Sequence, residues 1–350
     1  MLAAESKVVL PPATDSLNPE SVSSWKQIIG PVEPFLEAVS QGLACQVNEF
    51  DAALTPYADY ALNGNGKHLR PALVALSANT LSRVNDAHVT VAVIIEMVHL
   101  ATLVHDDVMD EAQIRRRQPT MAANWGNEVA VLFGDCLFAQ ALKLAASFPT
   151  PEICRAVAMA TNTVCSGEIL QTQRRGDFGF SRSEYFKVIE MKTAELFALS
   201  CDLAACLSGA TAAQRGALWQ FGRAFGTAYQ IYDDCVDLYG SETSAGKSLG
   251  TDLAKGKLTL PVLLLWERAG PPDRTLLENL IQNWQNDAMV QMGKMLNHYG
   301  TLGPTLKILQ NYLGEARQCL RALPDSNGRA SLLALTDYLA GQTTTFTTSG

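Results

Sequence analysis

From Trp25 onward, apolar residues recur along the chain at helical spacing, and that pattern predicts most of its architecture. WKQIIGPVEPFLEAVSQGLACQV opens the periodic region, and stretches such as ALKLAASF, RAVAMATNTV and ELFALSCDLAACLSGA continue it to about Gly341. Ala and Leu dominate these stretches, Gly, Pro and Asn punctuate them, and alternating strand-like patterns are few. The prediction is an all-α fold with a single helical domain over residues 25–341, since no Pro/Ser-rich linker divides it. The Pro-, Ser- and Thr-containing residues 1–24 read as a flexible N-terminal tail, and residues 342–350 as a disordered one.

Composition narrows the function classes. The 350 residues are 47% hydrophobic and 18% charged, which excludes a disordered chain. A net charge of −8 gives no global attraction for nucleic acid, so any anionic ligand must be held locally. The eight cysteines form no CxxC pair, and the expectation is reduced, mostly buried thiols. The N-terminus lacks a basic flank and a long apolar core, so a cytoplasmic location is expected. The longest apolar run, Val91 to Val104, is broken by Glu96 and His99. It falls short of the roughly 20 residues that span a bilayer, and no transmembrane segment is expected.

Two acidic motifs carry the chemistry. HLATLVHDDVMDEAQIRRRQPT places Asp106, Asp107 and Asp110 at the end of an apolar helical run, with Asp106 and Asp110 on one face. At about 100° per residue, Thr102 and His99 share that face. FGTAYQIYDDCVDLYG repeats the spacing with Asp233, Asp234 and Asp237, and Gln230 lies on the shared face. Either motif alone reads as a solvated acidic helix face. Two of them, each after nearly uninterrupted apolar residues, point instead to carboxylates around a shared cavity that needs a cation. Oxygen-only donors favour Mg²⁺, which takes one or two carboxylates together with water and substrate phosphate oxygens.

Basic residues cluster where the chain looks least helical. In NGNGKHLRP the glycines free the backbone, Pro71 disfavours helix at Arg70, and Lys67 and Arg70 are presented near a helix N-terminus. Taken alone, this segment reads equally well as an exposed basic turn. Arg115, Arg116 and Arg117 follow the first acidic motif, and Lys247 and Lys257 follow the second. Gly246, Lys247 and Ser248 do not close a nucleotide-binding loop, because Ser241 stands where its first glycine would be and no strand precedes it. His99 and His105 fit either a core role or the site, and the His105–Asp106 pair also suggests a helical metal phosphohydrolase.

Taken together and in order, GKHLRP, IEMVHLATLVHDDVMDE, RRRQPT, LFGDCLFAQAL, GEILQ, SRSEYFKVIEMKTAELF, YQIYDDCVDL and GKSLGTDLAKGKLTLP resemble the trans-type polyprenyl diphosphate synthases over roughly residues 25–266. The resemblance implies an isoprenoid synthase-like bundle around a central cavity, and condensation of isopentenyl diphosphate with an allylic diphosphate. It implies isopentenyl diphosphate held by Lys67, Arg70, His99 and Arg116, and the allylic diphosphate by Arg115, Lys192, Lys247 and Lys257. It further implies three Mg²⁺ ions on Asp106, Asp107, Asp110, Asp233, Asp234 and Asp237 or their hydrogen-bonded neighbours, with Thr193 and Gln230 beside the developing cation. A homodimer, and contact with a membrane surface for release of a long product, are implied as well. Arg117 stands where the family usually has Gly, and ALTDYLAGQTTTFTTSG lacks the basic residue with which many relatives end.

The residues a turn before the first motif wall the family's product tunnel. Here they are Ala101 and Thr102, with Val98 a turn further, and their small size implies a long product. Phe133, Leu137 and Phe138 are candidates for its floor, or else plain core. The competing functions are a farnesyl or geranylgeranyl diphosphate synthase, a terpene cyclase, and a catalytically silent subunit. A cyclase has no need of Lys67, Arg70 and His99, and a silent subunit would have lost an acidic motif.

Overall fold

The structure, a computed structural model, describes residues 25–62, 66, 68–116, 118–240, 249–285 and 287–346. Lys67, Arg117 and Lys247 lie outside them. The described residues are almost entirely helical. In chain order the helices are α1 (Glu33–Val47), α2 (Thr55–Leu62), α3 (Leu69–Ala78), α4 (Asp86–Met109), α5 (Met121–Trp125), α6 (Asn127–Ala145), α7 (Glu152–Gln173), α8 (Arg182–Ile189), α9 (Glu195–Leu207), α10 (Ala212–Tyr239), α11 (Thr251–Ala254), α12 (Leu260–Arg268), α13 (Pro271–Gln282), α14 (Ala288–His298), α15 (Leu302–Cys319) and α16 (Asn327–Gln342). A two-stranded hairpin, β1 (Ile114–Arg115) and β2 (Gln118–Pro119), pairs Ile114 with Pro119 and Arg115 with Gln118.

α4 is the axis of the bundle. Asn85 caps its first turn, accepting from the His88 amide, and His88 returns a ring nitrogen to the Asn85 amide. Val91 to Val98 are buried almost without interruption because α1, α3, α6 and α9 all pack on this helix. By length and composition α4 could cross a membrane. It runs longer than its apolar sequence suggests because the cap adds a polar turn at one end and the aspartates extend it at the other. More than half of its apolar window is covered by the other helices, which identifies it as a core helix.

The second motif helix, α10, packs closely on α9. A Cβ at Gly222 would lie 2.5 Å from the Phe197 carbonyl oxygen, and one at Gly226 would lie 2.8 Å from the Ala194 Cα, so only glycine lets the two backbones approach. Between α8 and α9, residues Glu190–Ala194 form a π-helical turn. Such a turn re-aims consecutive side chains and recurs at functional sites. This one carries Lys192 and Thr193.

Two boundaries differ from expectation. Arg70 lies inside the first turn of α3, where the backbone N–H groups are unpaired anyway and Pro71 therefore costs no hydrogen bond. At the other end, α16 runs to Gln342 and a 3₁₀ turn covers Thr343–Phe346, with the buried Phe346 ring 5.7 Å from that of Tyr232. Burial of that aromatic orders the stretch expected to be disordered; residues 347–350 lie outside the description. The two ends of the domain meet where Trp25 packs on Tyr338. All eight cysteines are unpaired, but only Cys201 and Cys235 are fully buried; Cys136, Cys154 and Cys319 are half-buried against the edge of the core.

Candidate active site

One cavity of about 1410 Å³ opens among the ends of α4, α7 and α10 and the π turn, and the predicted residues converge on it. Arg70, His99, Thr102, Asp106, Asp107 and Asp110 line it from α3 and α4, and Arg115 and Arg116 from the hairpin. Lys192, Thr193, Gln230, Asp233, Asp234 and Lys257 line the other side.

Each carboxylate of the first motif is paired with a cation. Lys192 Nζ lies 3.4 Å from Asp106, and it also bonds Glu168 and, at 3.0 Å, Gln171 Oε1. Burial alone would pull the Lys192 pKa down, but Asp106 and Glu168 hold it above the usual lysine value. Arg115 Nε donates to Asp107 at 2.7 Å. Burial raises the Asp107 pKa, and Arg115 only partly offsets this. Asp110 accepts from Lys257 at 2.6 Å and from Arg175 at 2.8 Å. Its burial is outweighed by Lys257 and Arg175, so its pKa falls below the ordinary carboxylate value.

The second motif is arranged differently. Asp234 is 2% exposed and accepts from Tyr185 Oη at 2.5 Å and Gln230 Nε2 at 2.8 Å. Burial, with Asp252 adding repulsion, pushes its pKa well above the usual carboxylate range. Gln230 in turn accepts from Thr193 Oγ1 at 2.7 Å. With the Gln230 amide nitrogen toward Asp234 and its oxygen toward Thr193, Thr193 donates its proton to Gln230. The remaining lone pairs of Thr193 are left for the cavity, where they suit a developing positive charge.

Asp237 does not join this group. It is fully buried, away from the cavity lining, and accepts from Thr251 N at 3.3 Å, Thr251 Oγ1 at 2.9 Å and Asp252 N at 3.2 Å. The third aspartate of the second motif therefore anchors the first turn of α11, and the structure does not bring it to the cavity where it was expected as a metal ligand. The cavity position beside Asp233 and Asp234 goes instead to Asp252. Its place inside GTDLAKGK was the available signal for it. Glu168 and Gln171, three apart in GEILQ, were legible as one helix face; Tyr185 and Arg175 carried no separate signal.

At the opposite end, His99 is surrounded by cations. Burial first, and then Arg70, Arg116 and Arg115, push its pKa well below the usual value, so it is neutral at pH 7. Burial likewise lowers the Arg70 pKa, and the guanidinium lies 4.8 Å from the centre of the Phe197 ring. Gly66 lies against Arg116, since a Cβ there would meet Nη1 at 2.9 Å. Among the described residues, the non-glycine positions of positive φ are His68 and Arg116, which flank Arg70 and the hairpin, and Glu111, just after the first acidic motif. Strain of this kind is held where surrounding contacts fix it, and it collects at ligand clamps.

His105 turns away from the motif. Its Nε2 lies 3.0 Å from the Val131 carbonyl oxygen and packs over Gly134, pinning α4 to α6, so it is not the histidine of a His-Asp metal pair. Thr102 lines the cavity as expected of a tunnel wall, but Val98 and Ala101 do not. They are 1% and 0% exposed in the core between helices; the wheel turns Ala101 to the flank, whereas Val98 shares the Thr102 face but lies a turn deeper. Of the proposed floor, Phe138 reaches the cavity, whereas Phe133 packs on Phe50 and Tyr57 and Leu137 is core.

Among the described residues, no three His, Cys, Asp or Glu side chains already converge as a metal site. The carboxylates around the cavity are spread out and partnered by cations. That donor set fits Mg²⁺, which needs few protein ligands and takes the remainder from water and phosphate oxygens.

The chain matches the family model described as Polyprenyl synthetase over residues 51–297. It is 37% identical to the nonaprenyl diphosphate synthase of Mycobacterium tuberculosis over 86% of this chain and 90% of that one. It is 32% identical to the octaprenyl diphosphate synthase of Haemophilus influenzae over 87% and 92% respectively. Its fold is similar to the crystal structure of a decaprenyl diphosphate synthase from Rhodobacter capsulatus (TM-score 0.83, 29% identity, 91% and 99% covered). It is equally similar to a polyprenyl synthase from Caulobacter crescentus complexed with calcium and isoprenyl diphosphate (TM-score 0.83, 29% identity, 94% and 99% covered).

Proposed function

The chain belongs to the polyprenyl synthetase family, and from that premise we propose that it is a Mg²⁺-dependent trans-prenyltransferase that condenses isopentenyl diphosphate with an allylic diphosphate to give a long-chain polyprenyl diphosphate. One observation carries this reading. Neighbouring residues of the π turn join the two acidic motifs across one cavity, Lys192 reaching Asp106 and Thr193 reaching Asp234 through Gln230.

Each group then has a task. Asp106, Asp107, Asp110, Asp233 and Asp234 would hold magnesium or its bound water, three ions being the number the resemblance implies, with Asp252 beside them. Magnesium bound with the allylic diphosphate supplies the charge neutralisation that lets diphosphate leave. Arg115, Lys192 and Lys257 line the same end and can exchange their carboxylate partners for diphosphate oxygens. Arg70, His99 and Arg116 form a separate cationic end for isopentenyl diphosphate. The allylic C–O bond would break with diphosphate leaving, the isopentenyl double bond attack the resulting carbon, and a proton pass to the departed diphosphate to restore an alkene. Thr193, which donates its proton to Gln230, would face the cation with its lone pairs. The second cationic end distinguishes condensation from cyclisation, and two acidic motifs at one cavity argue against a silent subunit.

The product length follows from the cavity wall. Thr102 is small, Val98 and Ala101 leave no bulk in the lumen, and Leu103, Val164 and Ile169 provide an apolar lining for a growing tail. The relatives named as octaprenyl and nonaprenyl synthases agree with a long chain. We further propose a homodimer. Leu132 on α6 and Met159 on α7 are exposed apolar residues outside the cavity lining and suited to meet a second copy, and light scattering tests this.

The experiment is incubation of the purified protein with Mg²⁺, labelled isopentenyl diphosphate and farnesyl or geranyl diphosphate, followed by mass analysis of the dephosphorylated products. A ladder ending at a long chain is expected. Termination after one addition would overturn the long-chain reading, and absence of any condensation would overturn the function.

A further inference from the structure

Asp110 is held by two cations, one on each oxygen, and they approach it from different sides. Lys257 Nζ, 2.6 Å from Oδ2, belongs to the cavity lining. Arg175 Nη2, 2.8 Å from Oδ1, does not. The same guanidinium donates through Nη1 to the Met109 carbonyl oxygen at 3.4 Å, and its Nε has no partner. Arg175 therefore spans the side chain of Asp110 and the last residue of α4, at the helix end where the backbone dipole favours positive charge.

The placement is built by the backbone. Arg175 follows the C-terminus of α7, and Lys257 follows α11. These two loops are joined by the Gly176 amide donating to the Gly256 carbonyl at 2.8 Å. Gly256 has φ +70°, and a Cβ there would lie 3.0 Å from the Gly176 nitrogen, so only glycine keeps the junction this close. One loop pair thus presents both cations to a single carboxylate, with the arginine behind it and the lysine inside the cavity.

We propose that Arg175 is a positioning residue for the metal site. It fixes Oδ1 of Asp110 so that Oδ2 faces the cavity, and Oδ2 passes to the metal when Lys257 moves to the arriving diphosphate. A guanidinium fits this role because its planar fork holds two acceptors in fixed directions, which an ammonium cannot do. The inference rests on the reading of Asp110 as a metal-binding carboxylate, and it adds a residue outside the cavity on which metal affinity depends. Groups that orient a metal ligand typically contribute about 10- to 100-fold in metal affinity when removed.

The test uses the full chain as wild type, R175M and R175K. Mn²⁺ binding is measured by electron paramagnetic resonance in the presence of inorganic diphosphate, and the Mg²⁺ dependence of condensation is measured in parallel. R175M is expected to weaken Mn²⁺ binding by about tenfold or more. It should also raise the Mg²⁺ concentration for half-maximal rate by a similar factor, with kcat at saturating Mg²⁺ near wild type. R175K, which keeps the charge without the fork, should fall between, and it decides the matter if R175M does not fold by circular dichroism. Unchanged Mn²⁺ affinity would overturn the proposal. So would tighter binding, which would mean that the arginine only competes with the metal. Wild-type protein that binds Mn²⁺ and diphosphate but forms no product would count against the proposed function alone, since the binding comparison stands without catalysis.

Discussion

Replacing His99 by Gln tests the electrostatics of the isopentenyl end without removing its polar character. In the folded protein burial, Arg70, Arg116 and Arg115 keep His99 neutral well below pH 6.5, whereas in the unfolded chain it takes up a proton near that value. Below about pH 6.5 the unfolded state thus binds the extra proton, and stability falls as pH falls. If the folded pKa lies below the whole range, the loss between pH 7.5 and 5.5 is at most about 1.4 kcal/mol, one pH unit of differential proton binding. Urea unfolding of the ligand-free protein at the two pH values measures it. His88, which burial also depresses, contributes equally to wild type and variant and cancels. The wild type should lose about 1 kcal/mol more than His99→Gln. The same geometry predicts proton uptake on binding, because a diphosphate on Arg70 and Arg116 removes the repulsion that keeps His99 neutral. Calorimetry of isopentenyl diphosphate binding near pH 6.5, in buffers of different ionisation heat, should show uptake in the wild type and none in the variant. Equal acid sensitivity of the two proteins, together with binding that moves no proton, would refute the reasoning.

Two further substitutions separate residues that the sequence grouped together. Thr102→Phe should shorten the product while leaving the first condensation intact, whereas Ala101→Phe should overpack a site 0% exposed and cost about 1–3 kcal/mol in a thermal melt; a product of unchanged length from Thr102→Phe would remove Thr102 from the wall. Asp233→Asn should abolish most turnover, whereas Asp237→Asn should keep most of it at saturating Mg²⁺ and lose roughly 1 kcal/mol of stability as the anchor of α11 weakens. The reverse order of activities would return Asp237 to the metal site.

The helical class and the pairing of the two motifs were legible because both rest on spacing. A period of 3.6 with acidic residues at the end of apolar runs leaves few arrangements in which the charge is satisfied. Spacing could not separate Asp237 from Asp233 and Asp234. Its side chain is claimed by Thr251 and Asp252, which are distant in sequence and come near only because the chain doubles back after α10. Ala101 and Thr102 posed the same difficulty. The helical wheel gave their directions, but which direction is lumen depends on where α6 and α7 pack. Arg175 and Tyr185 were not legible at all, since their roles exist only through contacts with Asp110 and Asp234 made across the fold.

The pairing of charges bears on how the site fills. All three carboxylates of the first motif have a basic partner in the ligand-free protein, and Lys192 also answers Glu168. A metal ion arriving alone would have to displace those cations, leaving them exposed to one another and to its own charge. A diphosphate arriving alone would meet carboxylates that hold the same cations. Only the two together let every group exchange partners at once, with carboxylates passing to the metal and Lys192, Arg115 and Lys257 passing to phosphate oxygens. The absence of a preassembled three-residue metal cluster among the described residues follows from the same logic, as does the unpaired, neutral state of His99 at the far end. That end stays cationic through Arg70 and Arg116 whatever happens at the first motif, so it can accept a second diphosphate without metal. On the proposed function, the two ends of one cavity would thereby be specialised, one for a diphosphate that must leave and the other for one that must stay attached.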